Sequence, residues 1–231
     1  MPDSAIREFA DTTVDPPVRG FLHVPATPNG DRLVLTHGAG GNAQAPLLRA
    51  LGDAFASTGF TVLRCNLPYR QARSFGPPGP ADAARDRVGL KNAIAALMRM
   101  VNETGAATQR SGNILLGGHS YGGRQSSMLC AEEPGLVEAL LLLSYPLHPP
   151  RRPEQQRTQH LPDLRTPTLF VHGTRDPFGS IEELQRAIKM IPAKTKLLPV
   201  EGAGHDLGFK GKSREEKLQS AILAEFHALL T

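Results

Sequence analysis

The sequence predicts an α/β fold with a doubly wound, mostly parallel sheet. Short, continuously apolar runs alternate with segments of helical periodicity, the pattern expected when helices cover both faces of a parallel sheet. The chain has 231 residues, of which 40 % are apolar and 21 % charged, so it can bury a continuous core and has an ordinary globular composition. No internal repeat or shift in composition divides it. We therefore expect a single domain over residues 18–231, preceded by an N-terminal lead-in over residues 1–17.

Six apolar runs are predicted to be buried strands, because they lack the polar alternation of a strand with one solvated face. They cover residues 33–36, 60–64, 113–116, 139–144, 168–172 and 196–200. The acidic lead-in before them is expected to be either loosely ordered or an edge strand.

Apolar residues at helical spacing fill the segments between several of these runs. One such helix is predicted from Leu47 to Phe55 and ends at Gly59. A second runs from Leu90 to Val101, includes Met98 on its apolar face, and ends near Gly105.

Capping boxes, in which a Ser is followed three residues later by a Glu, begin two later helices. Ser180 and Glu183 precede apolar residues at helical spacing that continue to Ile191. Ser213 and Glu216 precede the C-terminal helix, which should dock on the body of the domain through its apolar stripe.

Two proline-rich stretches, residues 68–80 and 146–167, interrupt the alternation and are predicted to be loops. Both follow the carboxyl ends of predicted strands, where open α/β sheets bind ligands. They are interpreted either as parts of a ligand-binding rim or as plain surface connectors. The segment between residues 144 and 168 is too short for a large helical cap, so a minimal cap or none is expected.

The pattern Gly118-His-Ser120-Tyr-Gly122 lies between a predicted strand and a helix predicted over residues 124–133. A G-x-S-x-G motif between a strand and a helix is typical of a nucleophile elbow. This is a sharp turn whose backbone leaves no room for a Cβ at the glycines. Ser120 is therefore predicted to be a nucleophile at the head of a helix. The alternative is a turn of small residues without chemistry.

A serine nucleophile needs a base that takes its proton and a third group that orients the base. Asp176 follows one predicted strand, and His205 lies in a glycine-rich loop after the next. The chain order Ser120, Asp176, His205 is that of α/β serine hydrolases. Asp176 could instead be a turn former, and Asp206 is set aside because a residue adjacent to the histidine rarely faces it as a triad requires.

Two backbone N–H groups are expected to bind the oxyanion of a tetrahedral intermediate. Tyr121, directly after the nucleophile, should supply one, and the glycine-rich loop over residues 36–42 should supply the other. Within that loop Ala39 is the first choice and Gly40 the second. The alternative is a phosphate cradle, although the loop lacks the third glycine of the dinucleotide fingerprint and the Gly-Lys-Ser/Thr of a P-loop.

Residues around these motifs are predicted to contact the substrate, namely His37, Gly40, Arg70, Arg124, Tyr145 and His148. Arginines at 70, 73, 124, 151 and 152 follow predicted strand ends, and their planar guanidinium groups suit carboxylate or phosphate recognition. One interpretation is that the substrate carries an anionic group. The other is that these arginines are solvated surface charges, with Arg124 bracing the elbow.

Together these motifs resemble the α/β-hydrolase superfamily. The segments that carry the resemblance are His37-Gly-Ala-Gly-Gly41, Gly118-His-Ser-Tyr-Gly-Gly-Arg124, Gly173-Thr-Arg-Asp176 and Gly202-Ala-Gly-His205. More narrowly, residues 144–150 and 169–178 are similar to a small branch related to dienelactone hydrolases, which includes testis-expressed protein thirty and a subunit of the nonspecific-lethal chromatin complex. The resemblance implies a Ser-His-Asp hydrolase without a cofactor. Serine stands where dienelactone hydrolases have cysteine, so their lactone substrates are not implied.

The predicted function is therefore cleavage of a small-molecule carboxylic ester or thioester through an acyl-enzyme intermediate. The alternative, from a different class, is an interaction module that keeps the fold without turnover. No metal is expected. The 26 basic and 22 acidic residues give a net charge of only +4, and no zinc-finger, RNP or helix-turn-helix signature accompanies them, so nucleic-acid binding is not expected.

The expected location is the cytoplasm. The N-terminal residues lack the apolar region of a signal peptide, and the longest apolar stretch, around residues 139–143, is far shorter than the ~20 residues that span a bilayer. No membrane contact is expected, and Cys65 and Cys130 are predicted to be free buried thiols. The sequence indicates no oligomeric state.

Overall fold

The structure, a computed structural model, describes residues 5–103, 112–209 and 215–230. Two predicted features, the helix end near Gly105 and the capping box that begins at Ser213, lie outside these residues. The strands within them are Ala5–Asp11 (β1), Val18–Val24 (β2), Arg32–Thr36 (β3), Thr61–Cys65 (β4), Ile114–His119 (β5), Ala139–Leu143 (β6), Thr168–Gly173 (β7) and Thr195–Val200 (β8). The helices are Pro46–Ser57 (α1), Pro68–Ala72 (α2), Asp82–Glu103 (α3), Tyr121–Glu132 (α4), Ile181–Ile188 (α5) and Glu215–Leu230 (α6).

The strands form one sheet in the order β1-β2-β4-β3-β5-β6-β7-β8. The pairs β1–β2 and β2–β4 are antiparallel, whereas β3–β4, β6–β7 and β7–β8 are parallel. The predicted α/β fold with a mostly parallel sheet is confirmed. All six predicted strands are present close to their expected bounds, with β5 running on to His119.

The chain divides into two compact units, Met1–Leu116 and Gly117–Thr231. In the first unit β1 is the edge strand and pairs with β2 along its whole length. Of the two alternatives for the N-terminal residues, a loosely ordered segment or an edge strand, the structure shows the edge strand. β2 was not among the predicted strands. Its Gly20 lies against β4 so closely that a Cβ would meet the Arg64 carbonyl oxygen at 1.9 Å, and only glycine fits there.

The helices of the first unit correct two expectations. The stretch over residues 68–80 is not a continuous loop, because α2 begins it with Pro68 at its first position and is anchored where the Tyr69 N–H donates to Asp86 Oδ1 at 3.0 Å. The next helix, α3, begins at Asp82, well before the predicted apolar periodicity. Met98, expected on its apolar face, is 46 % exposed.

In the second unit every residue of β6 is fully buried, and α4 packs on this strand while α6 packs on β7 and β8. The predicted capping box of α5 is present: Ser180 Oγ accepts from the Glu183 N–H, and Glu183 Oε2 accepts from the Ser180 N–H. The helix ends at Ile188, earlier than expected, and Ile191 is buried after it. Residues 144–167 contain one 3-10 turn, Leu161–Asp163, so no helical cap lies there.

Cys65 and Cys130 are buried and free, as predicted, and burial raises the pKa of each thiol to about 12. Within residues 5–103, 112–209 and 215–230, none of the helices combines the length and the apolar character that a membrane span needs.

Candidate active site

The turn between β5 and α4 carries Ser120 in a backbone conformation that non-glycine residues rarely adopt, with φ 51° and ψ −116°. Its N–H donates to the Leu143 carbonyl of β6 at 2.8 Å, which fixes the turn against the sheet. A Cβ on Gly118 would lie 2.5 Å from Gly122 C and Gly123 N, and one on Gly123 would lie 2.6 Å from Gly118 O. Glycine is therefore required at Gly118 and Gly123, because the backbone at these two positions approaches too closely for a Cβ.

Ser120, Asp176 and His205, the three residues predicted to act together, lie in one hydrogen-bonded chain. Ser120 Oγ is 2.8 Å from His205 Nε2, and His205 Nδ1 is 2.8 Å from Asp176 Oδ2. The other carboxylate oxygen, Oδ1, accepts from the Phe178 N–H at 2.9 Å. The Asp176 side chain is fully enclosed, whereas 24 % of the His205 side chain is exposed, so the histidine is the member open to solvent.

The loops that carry the acid and the histidine are bound to each other. The Thr174 N–H donates to Val200 O, and the Arg175 N–H donates to Ala203 O. A Cβ on Gly173 would meet the Ala203 and Gly204 carbonyl oxygens at 2.4 and 2.5 Å. Glycine at this strand end therefore lets the two loops touch, which sets the distance between Asp176 and His205.

Asp206, the acid set aside in the sequence, makes a local turn. Its Oδ1 accepts from the Gly208 N–H at 3.1 Å, two residues further along the chain. The carboxylate on His205 Nδ1 is that of Asp176.

Two other aromatic side chains contact the His205 ring. The His119 ring centroid lies 5.1 Å from it, and His119 Nε2 is 2.8 Å from the His205 carbonyl oxygen. Burial lowers the pKa of His119 to about 4, so its ring is neutral at pH 7 and donates its Nε2–H to that carbonyl. Phe178 packs on the ring at 4.3 Å between centroids. The sequence pattern did not single out Phe178, since nothing in a single loop phenylalanine distinguishes it from a core residue.

The loop predicted to hold an oxyanion donor is tied to α2 through its carbonyl groups. Tyr69 Oη donates to Gly38 O and Ala39 O at 3.2 and 2.9 Å. Arg70 Nε donates to Gly41 O at 2.8 Å, and its Nη2 donates to Ala39 O at 3.0 Å. Ala39 is half-buried and the following Gly40 is exposed.

His37 and Arg70, predicted as substrate contacts, both have backbone partners. His37 is fully buried; its Nε2 accepts from the Leu67 N–H at 3.1 Å, which leaves Nδ1 as the donor to Gly38 O at 2.9 Å. The Arg70 guanidinium also donates to the carbonyls of Arg73 and Gly76. These contacts hold the loops together within the first unit.

Tyr145 and His148 lie in the segment after β6. Tyr145 is fully buried and its hydroxyl donates to Arg157 O at 2.6 Å, and burial raises the pKa of this hydroxyl. His148 is 5 % exposed and contacts Glu183, the capping residue of α5, at 3.3 Å.

Tyr121, the other predicted oxyanion donor, is the first residue of α4, where the positive end of the helix dipole lies.

A second serine–histidine contact occurs on α4, where Ser127 Oγ lies 2.8 Å from His160 Nε2. The Ser127 hydroxyl donates its proton to the Arg124 carbonyl at 2.9 Å, one turn back along the helix. The Ser127 hydroxyl therefore lies between a histidine nitrogen and a backbone carbonyl.

Metal-binding residues do not cluster in the part of the chain that the structure describes: no group of three or more His, Cys, Asp or Glu side chains there could hold an ion.

Comparison with known proteins places these features in context. The profile of the family described as "Alpha/beta hydrolase domain" matches residues 29–228. A curated relative, the polyketide synthase ThaQ of Burkholderia thailandensis, is 37 % identical over 67 residues, a match that spans 29 % of this chain and only 3 % of the synthase.

Solved structures share the fold at low sequence identity. A dienelactone hydrolase from Anabaena variabilis superposes with a TM-score of 0.73 at 19 % identity, covering 97 % of this chain and 98 % of the other. A serine hydrolase homologue from Coxiella burnetii gives 0.67 at 18 % identity, covering 95 % and 96 %. A serine hydrolase without a lid from Xanthomonas campestris gives 0.60 at 15 % identity, covering 99 % and 95 %.

Proposed function

The chain belongs to the alpha/beta hydrolase family, and from that premise we propose that it is a serine hydrolase that cleaves a small-molecule carboxylic ester or thioester. The observation that carries the proposal is the hydrogen-bonded chain from Ser120 Oγ through His205 to Asp176. Such a chain lets the histidine take the serine proton while the carboxylate holds the imidazole in the required orientation.

In the first step Ser120 Oγ attacks the substrate carbonyl carbon, and its proton moves to His205 Nε2. The Asp176 carboxylate stabilises the imidazolium that forms, and it is kept in place by the Phe178 N–H. The carbonyl oxygen becomes an oxyanion. In this proposal it is bound by the backbone N–H groups of Tyr121 and Ala39, with Gly40 as the alternative, and loss of one such donor typically lowers turnover by ~10²–10³.

In the second step the carbon–oxygen or carbon–sulfur bond to the leaving group breaks. His205 gives its Nε2 proton to the departing alcohol or thiol, which leaves the acyl group on Ser120. Water then attacks the acyl-enzyme, with His205 as base, and the carboxylic acid departs as the serine regains its proton.

His119 is a positioning residue in this scheme. Its neutral ring donates to the carbonyl of His205 itself and so fixes the backbone from which the general base projects. It does not exchange a proton with substrate.

The finer expectations about the chain belong to the same proposal. They are a single domain over residues 18–231, membership of the branch that includes testis-expressed protein thirty, and a cytoplasmic location. The two free buried thiols support the last of these, because reducing compartments keep cysteines unpaired.

A fluorophosphonate probe tests the proposal directly, since it reacts covalently with activated serines. The wild-type protein should be labelled at Ser120, and Ser120→Ala should not be labelled. Ser127→Ala is the matched control, because Ser127 also contacts a histidine and should leave labelling intact. An unreactive Ser120 in folded protein would overturn the proposal and favour the interaction module.

A further inference from the structure

Phe178 contacts both residues that are proposed to activate the nucleophile. Its N–H donates to Asp176 Oδ1 at 2.9 Å, and its ring lies 4.3 Å from the His205 ring between centroids, with 33° between the two planes. A separation this short at this angle is a tilted face-to-face contact and not an edge-on one. Phe178 thus fixes the acid through its backbone and covers one face of the base with its side chain.

The backbone of Phe178 is itself held from two directions. Its carbonyl accepts from the His148 N–H at 3.0 Å, and the next carbonyl, Gly179 O, lies 2.9 Å from His172 Nε2. Burial lowers the pKa of His172, so this ring is neutral at pH 7 and donates its Nε2–H to Gly179 O. A Cβ on Gly179 would lie 3.0 Å from Leu147 Cβ, so the chain is closely packed there as well. The position of the Phe178 ring is therefore set by its own backbone.

The titratable neighbours of His205 in the described parts of the chain are Asp176, Asp206, His119 and His172. Asp176 Oδ2 lies 2.8 Å from His205 Nδ1, and the Asp206 carboxylate is engaged in its local turn. Burial lowers the pKa of both His119 and His172, so both rings are neutral at pH 7. When His205 takes a proton, its charge is therefore paired with a carboxylate in the plane of the ring, and the two nearby histidines do not repel it.

The face of the His205 ring is the side that Phe178 covers. The π electrons of an aromatic face attract a cation within about 6 Å of the ring centroid, whereas a neutral imidazole carries no charge to attract. In the proposed reaction His205 becomes positively charged only after the serine proton reaches Nε2. The contact is therefore stronger in the transition state than in the ground state, which is the condition for an interaction to accelerate the reaction.

We propose that Phe178 is a positioning residue that stabilises the protonated form of His205 through its aromatic face. This inference rests on the proposed hydrolase function, in which His205 is the general base. The same contact holds the imidazole in the orientation that places Nδ1 on Asp176 and Nε2 on Ser120. Phe178 acts on the reaction through His205 and exchanges no proton itself.

The test replaces the ring with an aliphatic side chain and measures kcat/KM for a short para-nitrophenyl ester, with the Ser120→Ala rate subtracted as background. The acid limb of the profile, measured from about pH 5 to about pH 9, reports protonation of the general base in the free enzyme. Phe178→Leu and Phe178→Met should each lower the plateau about two- to fivefold and move the midpoint of the acid limb down by ~0.4–0.7 pH units, the equivalent of one cation–π contact. Phe178→Tyr keeps an aromatic face and should resemble the wild type.

The direction of the shift separates this role from simple packing. Without the aromatic face, His205 loses its proton at a lower pH, and activity extends further into the acid range. Loss of packing alone would admit water, which favours the charged form, and would move the limb to higher pH. An acid limb that is unchanged or moved to higher pH in the folded aliphatic variants would overturn the inference.

Phe21→Leu is the matched control. Phe21 is also half-buried and has a cation over its face, with Arg64 Cζ 5.1 Å from the ring centroid, but it lies on β2 in the first unit. This variant should keep the wild-type profile, and a shift equal to that of Phe178→Leu would count against the inference. Circular dichroism establishes that each variant is folded. Absence of turnover in the wild type, together with absence of fluorophosphonate labelling, would overturn the proposed function, whereas turnover with an unchanged acid limb would overturn only the role of Phe178.

Discussion

Replacing Asp176 with asparagine changes one atom of the carboxylate and tests the proposed acid against its neighbour in sequence, Asp206. In the wild-type protein Asp176 accepts two hydrogen bonds, from the Phe178 N–H and from His205 Nδ1–H. An asparagine has one acceptor. If the asparagine oxygen still accepts from the Phe178 N–H, the amide NH2 group faces His205 and donates to Nδ1. The imidazole must then carry its proton on Nε2, and this nitrogen cannot accept the serine proton.

The productive orientation of the asparagine is therefore the less stable one. It turns the amide nitrogen toward the Phe178 N–H and leaves that donor unpaired, which costs ~1–2 kcal/mol. The neutral amide also stabilises the imidazolium less well than a carboxylate, by a further ~1–1.5 kcal/mol. Since 1.4 kcal/mol corresponds to a factor of ten, the expected loss in kcat/KM is about 30- to 300-fold.

Steady-state hydrolysis of a short para-nitrophenyl ester measures this loss, and circular dichroism establishes that each variant is folded. Asp206→Asn is the matched control. It should lose less than about threefold, because an amide oxygen can still accept from the Gly208 N–H in the local turn. A folded Asp176→Asn variant within tenfold of the wild-type rate, or a greater loss for Asp206→Asn, would refute the assignment of the acid.

Three further outcomes are expected. Ser120→Ala and His205→Ala should each abolish most turnover, and the double variant should be little worse, because the two residues act as a unit; additive losses in kcat would contradict this. Arg70→Lys should lower kcat ~10-fold with a smaller effect on KM, because one ammonium group cannot bind the four carbonyls that the Arg70 guanidinium binds. Arg73→Lys, which changes an exposed ion pair, should have little effect. Equal kcat values for the two variants would argue against the proposed role of residues 36–42 in binding the oxyanion. The pKa of His119 is about 4 in the folded protein against 6.5 for an exposed histidine, so the free energy of unfolding should fall by roughly 3 kcal/mol as the pH is lowered from 6.5 toward 4. His119→Asn lacks this titration, so the urea midpoints of the wild type and the variant should converge over that pH range. A constant difference between the two midpoints would rule this out.

Local patterns in the sequence were enough to predict the parallel part of the sheet and the elbow. Buried parallel strands are continuously apolar, and a serine flanked by glycines between a strand and a helix is typical of a nucleophile elbow. The proximity of Asp176 and His205 could be anticipated because both follow the carboxyl ends of strands, which meet at one edge of a parallel sheet.

Features set by tertiary contacts could not be predicted in the same way. β2 mixes polar and apolar residues, and its Arg19, Phe21 and Val24 are less buried than the rest of the strand. α2 is too short for a periodic signal. Phe178 and Arg157 lie in loops, and only the folded chain places them against His205 and Tyr145. The predicted substrate contact of Arg70 stays a prediction, but the sequence did not indicate that its guanidinium donates to the carbonyls of Gly41 and Ala39, which are distant in sequence.

The contact between the loops after β7 and β8 has a consequence for engineering. Because Gly173 touches the carbonyls of Ala203 and Gly204, and the Gly202 N–H donates to Thr174 Oγ1, neither loop can be exchanged alone without breaking the fit of the other. Residues 173–178 and 201–206 therefore form one structural unit, in which a change in either loop affects the other. Loop grafting or directed evolution should therefore move or randomise both segments together, and libraries confined to one of them should yield mostly inactive folded variants.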